Sequence, residues 1–161
     1  MSFLSHLFSS DKKLLRSLEN ILGFFPSNTN LYKSALRHKS AAREIKNGVK
    51  DSNERLEYLG DAILGAVVAD YVFKKFPYKD EGFLTEMRSK IVSRDNLNKL
   101  SRKLGLDALI INNPDNAVNR SMHGDAFEAL IGAIYLDKGY RCAKKFVIGR
   151  IISHYLDIDS L

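Results

Sequence analysis

The sequence predicts an all-α fold. Apolar residues recur at helical spacing in every periodic segment, and no stretch alternates convincingly at period two. The three prolines, Pro26, Pro77 and Pro114, fall between those segments and punctuate them. The chain has 161 residues, 45% of them hydrophobic and 27% charged. That is the composition of one globular domain with a buried core, read as a single unit over residues 1–161. It excludes a disordered tail or a collagen-like fibre. No apolar run approaches the roughly 18 residues needed to cross a bilayer, so no membrane partner is expected.

The first helix is expected over Asp11–Leu22, where Leu14, Leu15, Leu18, Ile21 and Leu22 share a face and Gly23 ends it. A second includes Leu31–Ala42. A third, long helix starts with Asn53 as N-cap and runs to about Phe76, where Pro77 stops it. A fourth covers roughly Leu84–Val92. Ser93 caps a fifth that runs to Leu104 before Gly105. After a polar stretch, Asn112 to Asn119, a sixth spans Ser121–Lys138 and ends at Gly139. The last spans Tyr140–Leu156.

Net charge is +6, unevenly placed. Residues 1–53 carry nine Lys/Arg against four Asp/Glu, residues 54–137 eleven against thirteen, and residues 138–161 five against two. A basic chain with an acidic middle suits a polyanionic partner and a separate need to gather carboxylates, although lysines that keep a surface soluble give the same total. The single cysteine, Cys142, reads as a small buried hydrophobe suited to a reducing cytoplasm. The four histidines show no zinc spacing. Cysteine and zinc chemistry are thereby disfavoured, and the N-terminus has no secretory h-region with a cleavage site.

The informative segment is Asn53-Glu54-Arg55-Leu56-Glu57-Tyr58-Leu59-Gly60-Asp61. At ~100° per residue, Glu54, Glu57 and Asp61 fall within an arc of roughly 60°. The other sides, with Leu56, Leu59, Ile63, Leu64, Val67, Val68 and Val72, are apolar, which marks a buried helix. Burying unpaired like charges costs several kcal/mol, so a hard divalent cation such as Mg²⁺, which prefers carboxylate oxygens, would compensate. Taken alone, these acids also fit a solvated stripe partnered by Arg55. A second helix changes the balance: Asp125 and Glu128 stand one turn apart on a segment that is otherwise uncharged from Ala126 to Leu136. If the two helices pack, Glu57, Asp61, Asp125 and Glu128 can converge on one metal. Gly60, Gly65 and Gly132 allow the close approach this needs.

Glu54-Arg55-Leu56-Glu57-Tyr58-Leu59-Gly60-Asp61-Ala62-Ile63-Leu64 resembles the signature of the ribonuclease III nuclease domain. Ala35–Ala41 resembles the motif before that signature, Phe76–Gly82 the stretch after it, and Gly124–Asp137 the second acidic helix. The four stretches follow the family's order and cover about residues 31–137. The resemblance implies a helical endonuclease domain that forms a homodimer and cuts double-stranded RNA with Mg²⁺, or Mn²⁺ as a substitute, and no small-molecule cofactor. It implies a metal site of Glu57, Asp61, Asp125 and Glu128, with Asp61 and Glu128 in the catalytic positions. It places Glu54 and Glu81 as further acids of the active-site valley. Tyr58 falls where the family has an aromatic residue that plugs a socket in the partner subunit. It further implies 5′-phosphate and 3′-hydroxyl ends, and ribosomal precursors and other structured RNAs as targets, in the cytoplasm.

Lys39, Arg43, Arg88, Lys90 and Arg94 are near the acidic motifs in sequence and are the candidate phosphate contacts. Many bacterial members carry a double-stranded-RNA-binding domain after the nuclease domain; this sequence has no room for one. The rival readings are a non-catalytic RNA-binding or ribosome-associated protein of the same fold, which should lose metal-site acids, and a helical scaffold whose acids are merely solvated.

Overall fold

The computed structural model describes residues 2–46, 48–113 and 121–156, without the side chains of 2–11, 43, 45 and 46. Eight α-helices account for most of the described residues: α1 (Ser2–Leu22), α2 (Thr29–Ala35), α3 (Glu54–Lys75), α4 (Glu81–Ile91), α5 (Arg94–Lys103), α6 (Met122–Lys138), α7 (Tyr140–Lys145) and α8 (Ser153–Tyr155). A 3₁₀ turn, Lys39–Ala41, follows α2, and a π-helical segment, Phe146–Ile152, joins α7 to α8. Among the described residues no helix is long and apolar enough to cross a membrane.

The all-α expectation describes this architecture with one addition. Strands β1 (Arg43–Lys46) and β2 (Val49–Asp51) form a small antiparallel hairpin, with Arg43 opposite Asp51 and Glu44 opposite Lys50. Two such short, mostly polar strands give no period-two signal. Asp51 anchors the hairpin to the helical body through an ion pair with Arg37 and a 2.7 Å hydrogen bond from Ser34.

Other differences concern boundaries. Helix α4 starts at Glu81, because the Asp80 side chain accepts from the Phe83 N–H at 2.9 Å and caps it. The second helix stops at Ala35, and the chain then runs extended enough for Leu36 and His38 to exchange backbone hydrogen bonds with Ile111. Ser93 caps α5 as expected, accepting from Asn96 N–H. Gly139, at φ 82°, turns the chain between α6 and α7. Asn53, expected to cap α3, makes no capping hydrogen bond. Of the polar stretch 112–119, residues 114–119 lie outside the described residues, Pro114 among them. Cys142 is a free, half-buried thiol, packed against the core.

Helix α6 is the axis of the domain. Every residue from Gly124 to Ile134 is buried, including Phe127, Leu130, Ile131 and Ile134. Helix α3 lies against it, presenting Leu56, Leu64, Val67, Val68 and Val72 to the same core. The pair is closer than side chains would permit. A Cβ at Gly60 would fall inside the carbonyl oxygen of Glu128, and one at Gly132 inside the carbonyl of Leu56. The far end of α6 is tied down by Asp137, whose carboxylate accepts from Ser27 N (2.9 Å), Asn28 N (3.0 Å) and the hydroxyl of buried Tyr32 (2.9 Å).

Candidate active site

The glycine contact sets the position of the acids. Gly60 lies on α3 between Glu57 and Asp61, and it meets α6 at Glu128 itself. Backbone touching backbone at this point brings the carboxylates of Glu57, Asp125 and Glu128 together, with one oxygen from each within 4.8 Å of the others. All three are oxygen donors of the kind a hard divalent cation takes, and Asp125 and Glu128 are buried. Three carboxylates at this spacing fit such an ion and are poorly explained as solvated charges.

The cluster forms one wall of a cavity of about 550 Å³. Asp61 and Glu54 also line it, both from α3 and both exposed. The cavity thus gathers five of the six sequence-predicted acids, with Asp61 on its margin rather than inside the tight oxygen cluster. Glu81 is elsewhere: exposed at the start of α4, it accepts from Thr85 Oγ1 at 2.8 Å.

Electrostatics follow from the crowding. Burial pushes the Glu128 carboxyl up to about 7, helped by the charges of Asp61 and Glu57 and opposed by Arg94. Glu57 is raised as well, first by burial and then by Asp125. Asp125 has two partners: Arg94 Nη1 donates to Oδ1 at 2.6 Å and Ser121 Oγ to Oδ2 at 2.6 Å. Arg94 is the first residue of α5, which crosses the start of α6; there Asn98 Oδ1 accepts from Gly124 N–H at 2.8 Å. The protein therefore supplies a cation and a hydroxyl to the acid nearest the α6 N-terminus.

The basic residues divide. Lys39 and Arg94 line the cavity. Arg88 lies over Gly65, and Lys90 pairs with Glu86 at 3.0 Å one turn away. The side chain of Arg43 lies outside the described residues. Arg94, expected from its place in the sequence to meet phosphate, bonds to Asp125, a contact that depends on how α5 crosses α6. Ser121, His38 and Asn53 also line the cavity and were not expected there. His38 stands in a family motif that gave it no role, and Asn53 had been assigned to a helix cap.

Tyr58 is on the next face of α3, with 83% of its surface exposed. It borders the acid cavity on one side and an apolar groove of about 750 Å³ on the other, formed with Leu31, Val49, Leu56, Leu59 and Leu136. Core packing is thereby excluded for this ring.

Comparison with known proteins agrees with this geometry. The sequence profile of the Ribonuclease-III-like family matches residues 28–155. Ribonuclease 3 of Bacteroides fragilis is 52% identical over 156 residues, covering 96% of this chain and 54% of that protein. Ribonuclease 3 of Flavobacterium psychrophilum is 42% identical over 160 residues, covering 99% of this chain and 65% of that one. The chain thus spans about half to two thirds of the length of these relatives. Among solved structures, the nuclease domain of ribonuclease III from Campylobacter jejuni superposes with a TM-score of 0.77 at 34% identity, covering 88% of this chain and 98% of that one. Dicer from Pichia stipitis does so with a TM-score of 0.59 at 27% identity over 80% of this chain and 58% of that chain.

Proposed function

The chain belongs to the ribonuclease-III-like family, and from that premise we propose that it is an endoribonuclease that hydrolyses the phosphodiesters of double-stranded RNA. The observation that carries this reading is the cluster of Glu57, Asp125 and Glu128 oxygens on two helices fused at glycine. These three residues would hold a divalent cation, Mg²⁺ or Mn²⁺, with Asp61 at the margin completing the set. When bound, such an ion lowers the pKa of a coordinated water and neutralises charge on the phosphate oxygens.

The chain's own residues supply the rest. Glu57 and Glu128 orient oxygens toward the cavity, and Asp61 and Glu128 take the catalytic positions. Arg94 and Ser121 fix the rotamer of Asp125 through two 2.6 Å hydrogen bonds. Lys39, at the cavity rim, offers a positive charge to the RNA backbone. Attack of water on phosphorus with departure of the 3′ oxygen, which takes up a proton, leaves 5′-phosphate and 3′-hydroxyl ends.

A homodimer fits the surface. An exposed aromatic ring beside an apolar groove is self-complementary under a two-fold axis: Tyr58 of each copy can enter the groove of the other. The nuclease domain of C. jejuni ribonuclease III has a region involved in dimer formation. Two sites across one duplex would then cut both strands. Maturation of ribosomal RNA precursors and other structured RNAs in the cytoplasm completes the reading.

Cleavage of a long labelled RNA duplex at low salt, with Mg²⁺ and with chelator, tests it. Short duplex products only with Mg²⁺ are expected. An intact duplex from folded, dimeric protein would favour a protein that binds RNA without cutting it.

A further inference from the structure

Two buried donors on the acid cavity have no partner among the described residues. His38 and Asn53 are 6% and 2% exposed, and both line the cavity that holds Glu57, Asp125 and Glu128. His38 Nε2 and Asn53 Nδ2 make no hydrogen bond there. A buried donor left unpaired is destabilising, so retention of two beside one cavity points to a ligand.

Their chemistry is fixed by their neighbours. Ser40 N–H donates to His38 Nδ1 at 3.2 Å, and Ser40 Oγ lies 2.9 Å from the same nitrogen. Nδ1 is therefore the acceptor, and the neutral ring carries its proton on Nε2. Burial and the charge of Lys39 hold the ring below the usual histidine range, which favours that neutral form. An Nε2–H can be neither a metal ligand nor a proton acceptor; it can only donate. Ser40 is itself fixed, its Oγ accepting from Asn113 N–H at 3.1 Å. Asn53 is held alongside, because its backbone N–H donates to the Arg37 carbonyl at 2.8 Å, one residue before His38.

We infer that His38 Nε2–H and the Asn53 side-chain amide form a paired donor seat for a phosphodiester oxygen of the RNA backbone. The inference rests on the nuclease reading above. Neither donor is bonded to any of the carboxylates that line the same cavity. A free anion would be repelled by those carboxylates, but an anion sharing their cation would not. A phosphodiester oxygen is that anion: one oxygen can face the cation while another accepts from the uncharged donors. His38 and Asn53 are thus positioning residues for the phosphate.

The test measures affinity for a short labelled RNA duplex at low salt with Ca²⁺ in place of Mg²⁺, and Mn²⁺ affinity by calorimetry on the same proteins. Asn53→Leu removes the donor at nearly the same shape and adds no charge to the cavity. It should weaken duplex binding at least tenfold and leave Mn²⁺ affinity within about twofold. His38→Phe should lose duplex affinity likewise, and His38→Gln should regain most of it, because the Gln amide nitrogen reaches the Nε2 position. Duplex binding like the parent's in both Asn53→Leu and His38→Phe, or Mn²⁺ affinity falling in step with it, would overturn the seat. If the variants fail to fold, the parent decides by nuclear magnetic resonance. The His38 Nε2–H signal should move when dimethyl phosphate is added with Ca²⁺, and a stationary signal overturns the inference. A parent that cuts duplex while its variants bind normally sinks only the seat, whereas a parent that neither binds nor cuts sinks the nuclease reading with it.

Discussion

Gly60 of α3 rests directly on the carbonyl oxygen of Glu128 in α6, with no room for a methyl group between them. Gly60→Ala must therefore push the helices apart, and backbone atoms cannot swing away as a flexible side chain can. Overpacking of this kind costs about 1–3 kcal/mol. The expected result is a clear drop in melting temperature together with weaker Mn²⁺ binding, since Glu57 and Glu128 separate with the helices. Calorimetry on Gly60→Ala and Gly132→Ala checks both; a stability loss with unchanged metal affinity would show that the glycines serve packing alone.

Acidity should matter most when metal is absent. Glu128 titrates at about 7 in the folded chain against an ordinary 4.5. Between those values the folded state binds more protons than the unfolded one, so stability falls as pH rises through that window. The contribution is about 3 kcal/mol, fully lost above the folded value. Denaturation in chelator at pH 5 and pH 8 should show this slope in the parent, and Glu128→Gln should flatten it. Equal slopes in the two proteins would place the proton elsewhere.

Arg94 gives the acids a cation of their own. Its guanidinium bonds to Asp125, and its charge also lowers Glu128. Arg94→Met should destabilise the metal-free protein by about 1 kcal/mol, a modest value because the arginine is half exposed. Saturating Mg²⁺ should shrink that loss, since the ion then supplies the positive charge. Melting curves with and without Mg²⁺ decide; a loss independent of the ion would mean that Arg94 only packs α5 on α6.

Tyr58 should act between subunits and not within one. Tyr58→Ala removes an exposed ring, so the monomer should keep its fold. A central aromatic anchor is worth about 2 kcal/mol or more at an interface, which corresponds to a dimer weakened more than tenfold. Sedimentation velocity over a dilution series reads this directly. An unchanged dimer constant would move the interface away from the groove beside Leu59 and Leu136.

The helices were legible because their apolar spacing, Ser93 and Gly139 are local signals, and the acids because charge on an otherwise apolar helix is conspicuous. The hairpin at Arg43–Asp51 was not, since its short, mostly polar strands carry no periodicity. Asn53 misled for a physical reason: a cap and a cavity donor require the same side chain, and only the third dimension separates them. The Arg94–Asp125 bond spans 31 positions and depends on a helix crossing that no local pattern encodes. Glu81 was drawn in by its motif, yet in a single chain it faces solvent with Thr85.

Helix α6 is gripped by polar hands at both extremities. Arg94 and Ser121 hold Asp125 at its beginning, and Ser27, Asn28 and Tyr32 hold Asp137 at its end. Between them the buried surface is mostly apolar, where contact has no preferred direction, and the seat of Gly132 on the Leu56 carbonyl resists rolling at one level of the helix. The two clamps extend that resistance to the ends: any rotation about the helix axis breaks hydrogen bonds at both of them at once. The aim of Glu128 is therefore guarded in part by Asp137, a residue outside the acid cavity. Loosening the loop at Ser27 and Asn28 would blur the bearing of a carboxylate that neither residue touches.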